Sequence, residues 1–289
     1  DAGGGGRGIR RCNNDSEVTQ AFADAAREAQ SAFGNAALYL EKYIVGGRHI
    51  EFQVLGDGRG NAIHLGEREC SIQRRHQKLL EEAPSPMMSD EQRNHYGDLS
   101  AKAAASFNYA GAGTIEYLLD EDGSLFFLEM NTRLQVEHPV SESITGIDLM
   151  QQQIIIAAGG SLPCTQEEVT FKGHAIELRV NAEDTNDDFR PTPGQLTSFA
   201  INGDDIRFDT HLQAGDSVPP FYDSLLGKVI AHADTREQCI KMLVAAIGEA
   251  DIEGLPTTLG LQCDILLSDD FKNARCDTLW LDSFLSGNK

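Results

Sequence analysis

Glu129, Asn131 and Arg133 recur at every second position of a run that includes Phe126, Phe127 and Leu128. In a strand, that spacing turns all three toward one side. Glu116 stands on a preceding strand-like run, 113–119, and can come opposite them. Two carboxylates and an amide oxygen suit a hard cation such as Mg²⁺, which keeps water and bridges nucleotide phosphates. An adjacent guanidinium can clamp a transferring phosphoryl group or its acceptor. The same spacing also fits a surface charge ladder. The apolar stretch 126–128 predicts a largely buried strand, where carboxylates need partners.

Two more segments carry chemistry. Glu67-Arg68-Glu69-Cys70-Ser71-Ile72-Gln73-Arg74-Arg75-His76-Gln77-Lys78 packs four cations and a histidine into an acidic protein. Arg and Lys suit carboxylate, bicarbonate or phosphate oxygens, although a solvated face paired with Glu67, Glu69, Glu81 and Glu82 is an equal reading. Gly3-Gly4-Gly5-Gly6-Arg7-Gly8 holds Gly-x-Gly-x-x-Gly, but a strand-like Ile9-Arg10-Arg11-Cys12 follows instead of a helix. A glycine loop between strands, donating backbone N–H groups to phosphates, fits better than a Rossmann turn or a P-loop. A flexible terminus or linker fits as well.

Weaker candidates follow. His49, Glu51 and Gln53 share one strand face, opposite Ile50 and Phe52. His174, Glu177 and Arg179 lie in another alternating strand, with an ion pair as the plain reading. The basic stretch beside Cys70 predicts a lowered thiol pKa, but no His–acid arrangement marks a nucleophile. Trp280 reads as core.

The elements that position these residues are legible from caps and periodicity. Asn14 with Glu17 starts a helix that Gly34 ends. Leu38 to Ile44 reads as a strand. A hairpin turns at Asp57-Gly58-Arg59-Gly60 and returns over Ala62 to Leu65. Ser89 to Phe107 and Ile147 to Ala158 read as helices, and Asp120-Glu121-Asp122-Gly123 joins an antiparallel pair. Ser161 to Lys172 is a polar connector. A helix follows the cap at Thr235. Mixed strands and helices in this order predict an α+β fold.

Composition sets the outer bounds. The chain has 289 residues and a formal net charge of −21, with a pI near 4.6. A field of that sign repels nucleic acid and anionic membranes. No apolar run is long enough for a membrane helix. Six cysteines without a Cys-x-x-Cys pair predict reduced thiols, no structural zinc and a cytoplasmic location.

With these motifs laid out, the sequence resembles biotin carboxylase, the ATP-grasp component of acetyl-CoA carboxylase and related biotin-dependent carboxylases. The resemblance rests on 3–10, on 69–78, on Glu129-Met130-Asn131-Thr132-Arg133-Leu134-Gln135-Val136-Glu137-His138-Pro139-Val140, and on Arg179-Val180-Asn181-Ala182-Glu183-Asp184. It implies an ATP-grasp fold: a partial lid over 1–43, a catalytic domain over 44–160 and a C-terminal subdomain over 173–287.

It also implies roles. Gly5 and Gly6 match the loop over the ATP phosphates. Glu41, Lys42 and Ile44 match the adenine hinge, and His49, Gln73 and His76 match the ribose and phosphate contacts. Glu116, Glu129 and Asn131 match ligands of Mg²⁺ or Mn²⁺. Lys78, Arg133, Gln135 and Val136 match the bicarbonate pocket. Glu137 matches the base that deprotonates bicarbonate, and Arg179 matches the residue that holds bicarbonate and stabilises the biotin enolate. Expected substrates are ATP, bicarbonate and biotin on biotin carboxyl carrier protein. Expected partners are that carrier, carboxyltransferase subunits and a second copy in a homodimer.

The family's Rossmann-like domain and two ATP-binding lysines would precede Asp1. The chain is therefore expected to be a fragment, inactive alone, of an active ligase. Acetyl-CoA carboxylase is the first expectation for the parent, with propionyl-CoA, methylcrotonyl-CoA, pyruvate or urea carboxylase as alternatives. An inactive piece that binds only nucleotide or a partner is the alternative of another class.

Overall fold

The computed structural model describes residues 9–203 and 205–287; Gly5 and Gly6 lie outside them. The chain forms two compact units. One holds the described residues up to Val45 with 75–77, and the other holds 46–74 and the rest.

In the first unit α1 runs Asp15–Phe33. The Asn14 side chain accepts from the Glu17 N–H, and the Glu17 carboxylate accepts from the Asn13 N–H at 2.9 Å. Gly34 closes the helix at φ 71°, a conformation that favours glycine. The strands expected over 9–12 and 38–44 do not form among the described residues. An extended segment becomes a strand only when a neighbour takes its N–H and C=O groups. Tyr39 and Leu40 instead stand exposed, and Tyr43 lies under the Arg11 guanidinium, 4.6 Å from its ring centre. Glu41, Lys42 and Ile44 sit on this irregular segment.

The second unit is built on an eight-stranded sheet. Its first strands are β1 (Arg48–Asp57), β2 (Ala62–Arg74) and β3 (Gln77–Ala83), followed by β4 (Ala110–Leu119), β5 (Leu125–Asn131) and β6 (His174–Asn181). Across the sheet the order is Ile206–Thr210, Leu225–Ala233, β6, β3, β2, β1, β4, β5. Pairs β1–β2, β1–β4, β4–β5 and β3–β6 are antiparallel. The hairpin forms where expected, but its return strand continues to Arg74.

Burial explains the pattern of this sheet. On β1, Ile50 and Phe52 face a core shared with Tyr117 and with Tyr96 of α2 (Asp90–Ser106). On β3 and β6, Leu80, Ile176, Leu178 and Val180 join the largest core. The helices Arg236–Gly248 and Leu259–Leu267 cover it with Ile240, Leu243 and Ile265. The alternate positions therefore point to the opposite face, under α3 (His138–Thr145). Glu82 belongs to the core side, where His174 and Arg236 bond it at 2.7 and 2.6 Å. Trp280 packs against the largest core and stacks on Phe284, as expected.

Two expectations about burial fail. Strand β5 is the sheet edge, and Phe126, Phe127 and Leu128 are exposed, Phe127 to 63%. An apolar run says nothing about whether a second layer covers it. Conversely, the charged stretch 67–73 is not a solvated face. Glu67, Arg68, Glu69 and Gln73 are buried, with Arg93 of α2 bonding Glu67 at 2.8 and 2.9 Å. The two residues between β2 and β3, Arg75 and His76, take φ 49° and 67°. Short hairpin turns demand such values, and side chains other than glycine adopt them at a cost.

Candidate active site

The polar face of the sheet carries one row of interlocked charges. Glu51 of β1 is fully buried between Lys78 Nζ at 2.6 Å and Arg68 Nε at 2.6 Å. Burial alone would raise its carboxyl, but the two cations draw it down to about 2. Arg68 has no exposure and spends every donor. It also bonds Gln53, Ser141, Thr114 and the Gln135 amide oxygen, at 2.6, 2.9, 3.1 and 3.3 Å.

Glu137 precedes α3 and is gripped from two sides. Lys78 Nζ lies 2.6 Å from its Oε1, and an Arg179 terminal nitrogen lies 3.0 Å from its Oε2. Arg179 also donates through Nε to Glu81 Oε1 at 2.6 Å. Burial opposes the charge on Lys78 and Arg179, but the surrounding carboxylates outweigh it and hold both firmly protonated. Lys228, opposite Arg179 in the ladder, donates to the Val136 carbonyl at 2.7 Å. The segment from Gln135 to Glu137 is therefore pinned to the sheet by Arg68, Lys78, Arg179 and Lys228.

The acidic end of the row brings together the three residues expected from sequence to hold a cation. Glu116 and Glu129 stand opposite each other in the β4–β5 ladder. The Asn131 amide donates to Glu116 at 2.9 Å and lies 3.5 Å from Glu129. Lys78 Nζ and the Gln135 amide approach the same Glu116 oxygen, at 3.3 and 3.1 Å. His49 Nε2 lies 3.2 Å from its other oxygen. Burial disfavours the charge on Glu116, yet His49, Lys78 and Gln135 hold it well below the usual carboxylate range. A half-turn of the Asn131 amide brings its oxygen to the two carboxylates. Hard oxygen donors with Glu129 open to solvent fit Mg²⁺. His49, Glu51 and Glu116 also converge, with ligand atoms within 4.8 Å of one another.

Not every expected residue joins. Strand β5 ends at Asn131, so Arg133 does not share the face of Glu129. Its guanidinium is exposed and donates to the Leu134 carbonyl at 3.4 Å. Gln73 is buried on β2, and His76 sits in the left-handed turn. Burial pushes the Cys70 thiol up, against the lowering expected from its basic neighbours. All six cysteines are free.

Sequence reasoning missed Arg68, Lys228 and Glu81 as parts of the site and gave Glu51 and Glu177 little weight. A signal existed. Glu51, Glu177 and Lys228 each stand as a lone charge between uncharged neighbours at strand spacing, as in Ile50-Glu51-Phe52 and Ile176-Glu177-Leu178, whereas Arg68 and Glu81 have charged neighbours that hide them. A charge there is costly unless it has a buried partner.

Residues 1–165 match the family model for the carbamoyl-phosphate synthase L chain ATP-binding domain, and 177–283 match that for the biotin carboxylase C-terminal domain. Biotin carboxylase 1, chloroplastic, from Populus trichocarpa is 51% identical over 97% of this chain, which spans 53% of that relative. The chain thus covers about half the length of such a relative. A biotin carboxylase–β,γ-ATP complex from Campylobacter jejuni superposes with a TM-score of 0.93 at 44% identity, covering 98% of this chain and 63% of that one. The biotin carboxylase domain dimer of Hydrogenobacter thermophilus 2-oxoglutarate carboxylase, in complex with MgADP, ADP and bicarbonate, gives 0.92 at 47%, covering 98% and 62%. The fold is thus the α+β, ATP-grasp architecture of those structures. With both family models matching in order and a polar sheet face that converges on Glu116 and Glu137, this chain belongs to the biotin carboxylase family.

Proposed function

We propose that this chain carries the bicarbonate- and magnesium-handling surface of an ATP-dependent biotin carboxylase. What supports the reading is Glu137, a buried carboxylate held at 2.6 and 3.0 Å by Lys78 and Arg179 beside the Glu116–Glu129–Asn131 trio. In this reading Glu137 takes the bicarbonate proton, and the bicarbonate oxygen attacks the ATP γ-phosphorus, expelling ADP and forming carboxyphosphate. Carboxyphosphate splits into CO₂ and phosphate. The phosphate removes the N1′ proton of biotin, and N1′ attacks CO₂. Lys78 and Arg179 hold negative charge at each stage, a preorganised electrostatic contribution. Glu116, Glu129 and Asn131 would hold Mg²⁺ or Mn²⁺, which neutralises phosphate charge when bound. The same reading assigns bicarbonate contacts to Gln135, to Val136 and to the exposed Arg133. The adenine and ribose contacts assigned to Glu41, Lys42, Ile44, His49, Gln73 and His76, with Gly5 and Gly6 over the phosphates, complete the proposal.

The biotin is supplied on biotin carboxyl carrier protein, and the carboxyl group passes on to carboxyltransferase subunits. A homodimer is the proposed assembly, supported by the dimer named for the Hydrogenobacter structure. Acetyl-CoA carboxylase, feeding fatty acid synthesis in a cytoplasmic setting, is the first reading of the parent. The similarity to 2-oxoglutarate carboxylase favours a second, a carboxylase of 2-oxo acids. Among the described residues no helix is long and apolar enough to cross a membrane.

The test is Arg179→Ala in full-length protein. The expected result is loss of biotin carboxylation by about 10²-fold or more with ATP binding retained. Normal carboxylation of free biotin by the variant would remove the assignment. Glu129→Gln, at an exposed position, should keep the fold and weaken Mg-ATP turnover by at least about tenfold. Unchanged turnover across a magnesium titration would take Glu129 out of the cation site.

A further inference from the structure

Beneath Arg179 lies a second acidic pair that the proposed chemistry does not use. Glu81 of β3 and Glu177 of β6 are direct register partners, and neither has any solvent exposure. Side chains opposite each other in a ladder are neighbours. Glu81 Oε2 and both Glu177 oxygens are buried without a hydrogen-bond partner. The charged and titratable groups facing the pair are Lys78 and Cys70 from β3 and β2, Arg179 from β6, Lys228 from Leu225–Ala233 and Glu137 from the head of α3. Arg179 is already committed to Glu81 and Glu137, and Lys78 to Glu51 and Glu137. Lys228 donates to Val136 and stands 3.9 Å from Glu177.

Charge counting narrows the choice. Arg68, Lys78, Arg179 and Lys228 are outnumbered by the carboxyls they meet, Glu51, Glu81, Glu116, Glu137, Glu177 and Asp209, with Glu129 beside Glu116. A proton added at the Glu81–Glu177 pair reduces that excess. Placed on Glu177 and aimed at Glu81 Oε2, it also satisfies two of the three orphaned oxygens at once.

We infer that Glu81 and Glu177 share one proton held on Glu177, and that this neutral carboxyl is a positioning residue that leaves Arg179 free to serve Glu137. Burial pushes Glu177 well above its ordinary carboxylate value and Glu81 up to about 7, in the same direction as the geometry. An ionised Glu177 would compete with Glu137 for Arg179 and draw Lys228 from the Val136 carbonyl. The inference rests on the proposed role of Arg179 only for its effect on turnover.

The experiment compares wild type with Glu177→Gln, an isostere of the protonated acid, in full-length protein. Infrared spectra at neutral pH should show a protonated-carboxyl C=O band in wild type that is missing in the variant. Thermal unfolding should coincide for the two at pH 4. As pH rises above the ordinary value of 4.5 the variant should gain on wild type, by roughly tenfold in folding equilibrium per pH unit. The sign follows because a raised folded pKa gives stability that is lost as pH climbs toward it. The fall in kcat/KM at high pH should shift upward in the variant. A missing band, or a stability deficit equal at all pH values, would overturn the inference. If no bicarbonate-dependent turnover existed at all, the infrared and unfolding results would still decide the proton, separating this failure from that of the proposed function.

Discussion

Glu137→Gln should reduce bicarbonate-dependent ADP release by about 10²–10⁴-fold, the range for losing a general base. The carboxylate is 2% exposed and accepts from Lys78 and Arg179 at 2.6 and 3.0 Å. An amide is isosteric but brings an N–H₂ against one of two cationic donors. It cannot take a proton at neutral pH. ATP binding should survive, because Glu116 keeps its bonds to Asn131 and Gln135. The measurement is single-turnover ADP formation with and without bicarbonate, alongside nucleotide affinity. A variant that retained bicarbonate-dependent turnover with an unshifted pH profile would remove Glu137 as the base.

Arg68→Met should lower stability by about 3–5 kcal/mol, the cost of breaking a buried ion pair from one side. The guanidinium bonds side chains from β1, β4 and α3 as well as Gln135. Its removal leaves Glu51 with Lys78 alone and four neutral acceptors without their donor. Arg68→Lys should recover only part of the loss, since an ammonium cannot reach five acceptors in one plane. Acid adds a signature. Glu51 has a folded value of about 2 against an ordinary 4.5. Its stabilisation is therefore present above pH 4.5 and lost as pH falls toward 2. In Arg68→Met that acid-sensitive contribution should shrink. Urea unfolding from pH 7 to pH 2 reads both effects, and a loss below 1 kcal/mol at neutral pH would show that the network relaxes around methionine.

What could be read in the sequence was local. Asn14 and Gly34 bound α1 because caps act within a few residues. Glu116 meets Glu129 because two short strands joined by a tight turn have little choice of register. The buried row was harder to see. Alternation on β3 and β6 separates Glu81 and Glu177 from Leu80, Ile176 and Leu178, but it does not say which face a helix will cover. Arg68, flanked by Glu67 and Glu69, has the look of a surface ladder, although its neighbours turn the other way to meet Arg93 and Ser85. Arg133 shows the opposite error. Its spacing continues a strand that stops at Asn131.

The double grip on Glu137 has a consequence for selectivity on the proposed reading. Lys78 and Arg179 meet any visitor with their donors already satisfied by the protein's own carboxylate. A bare anion such as nitrate or chloride would have to crowd against that carboxylate and offers it nothing. Bicarbonate carries its own O–H, which it can hand to Glu137 while its remaining oxygens take over the released donors. The pocket should therefore reward ligands that are anion and hydrogen donor together, and inhibition by simple salts should be weak.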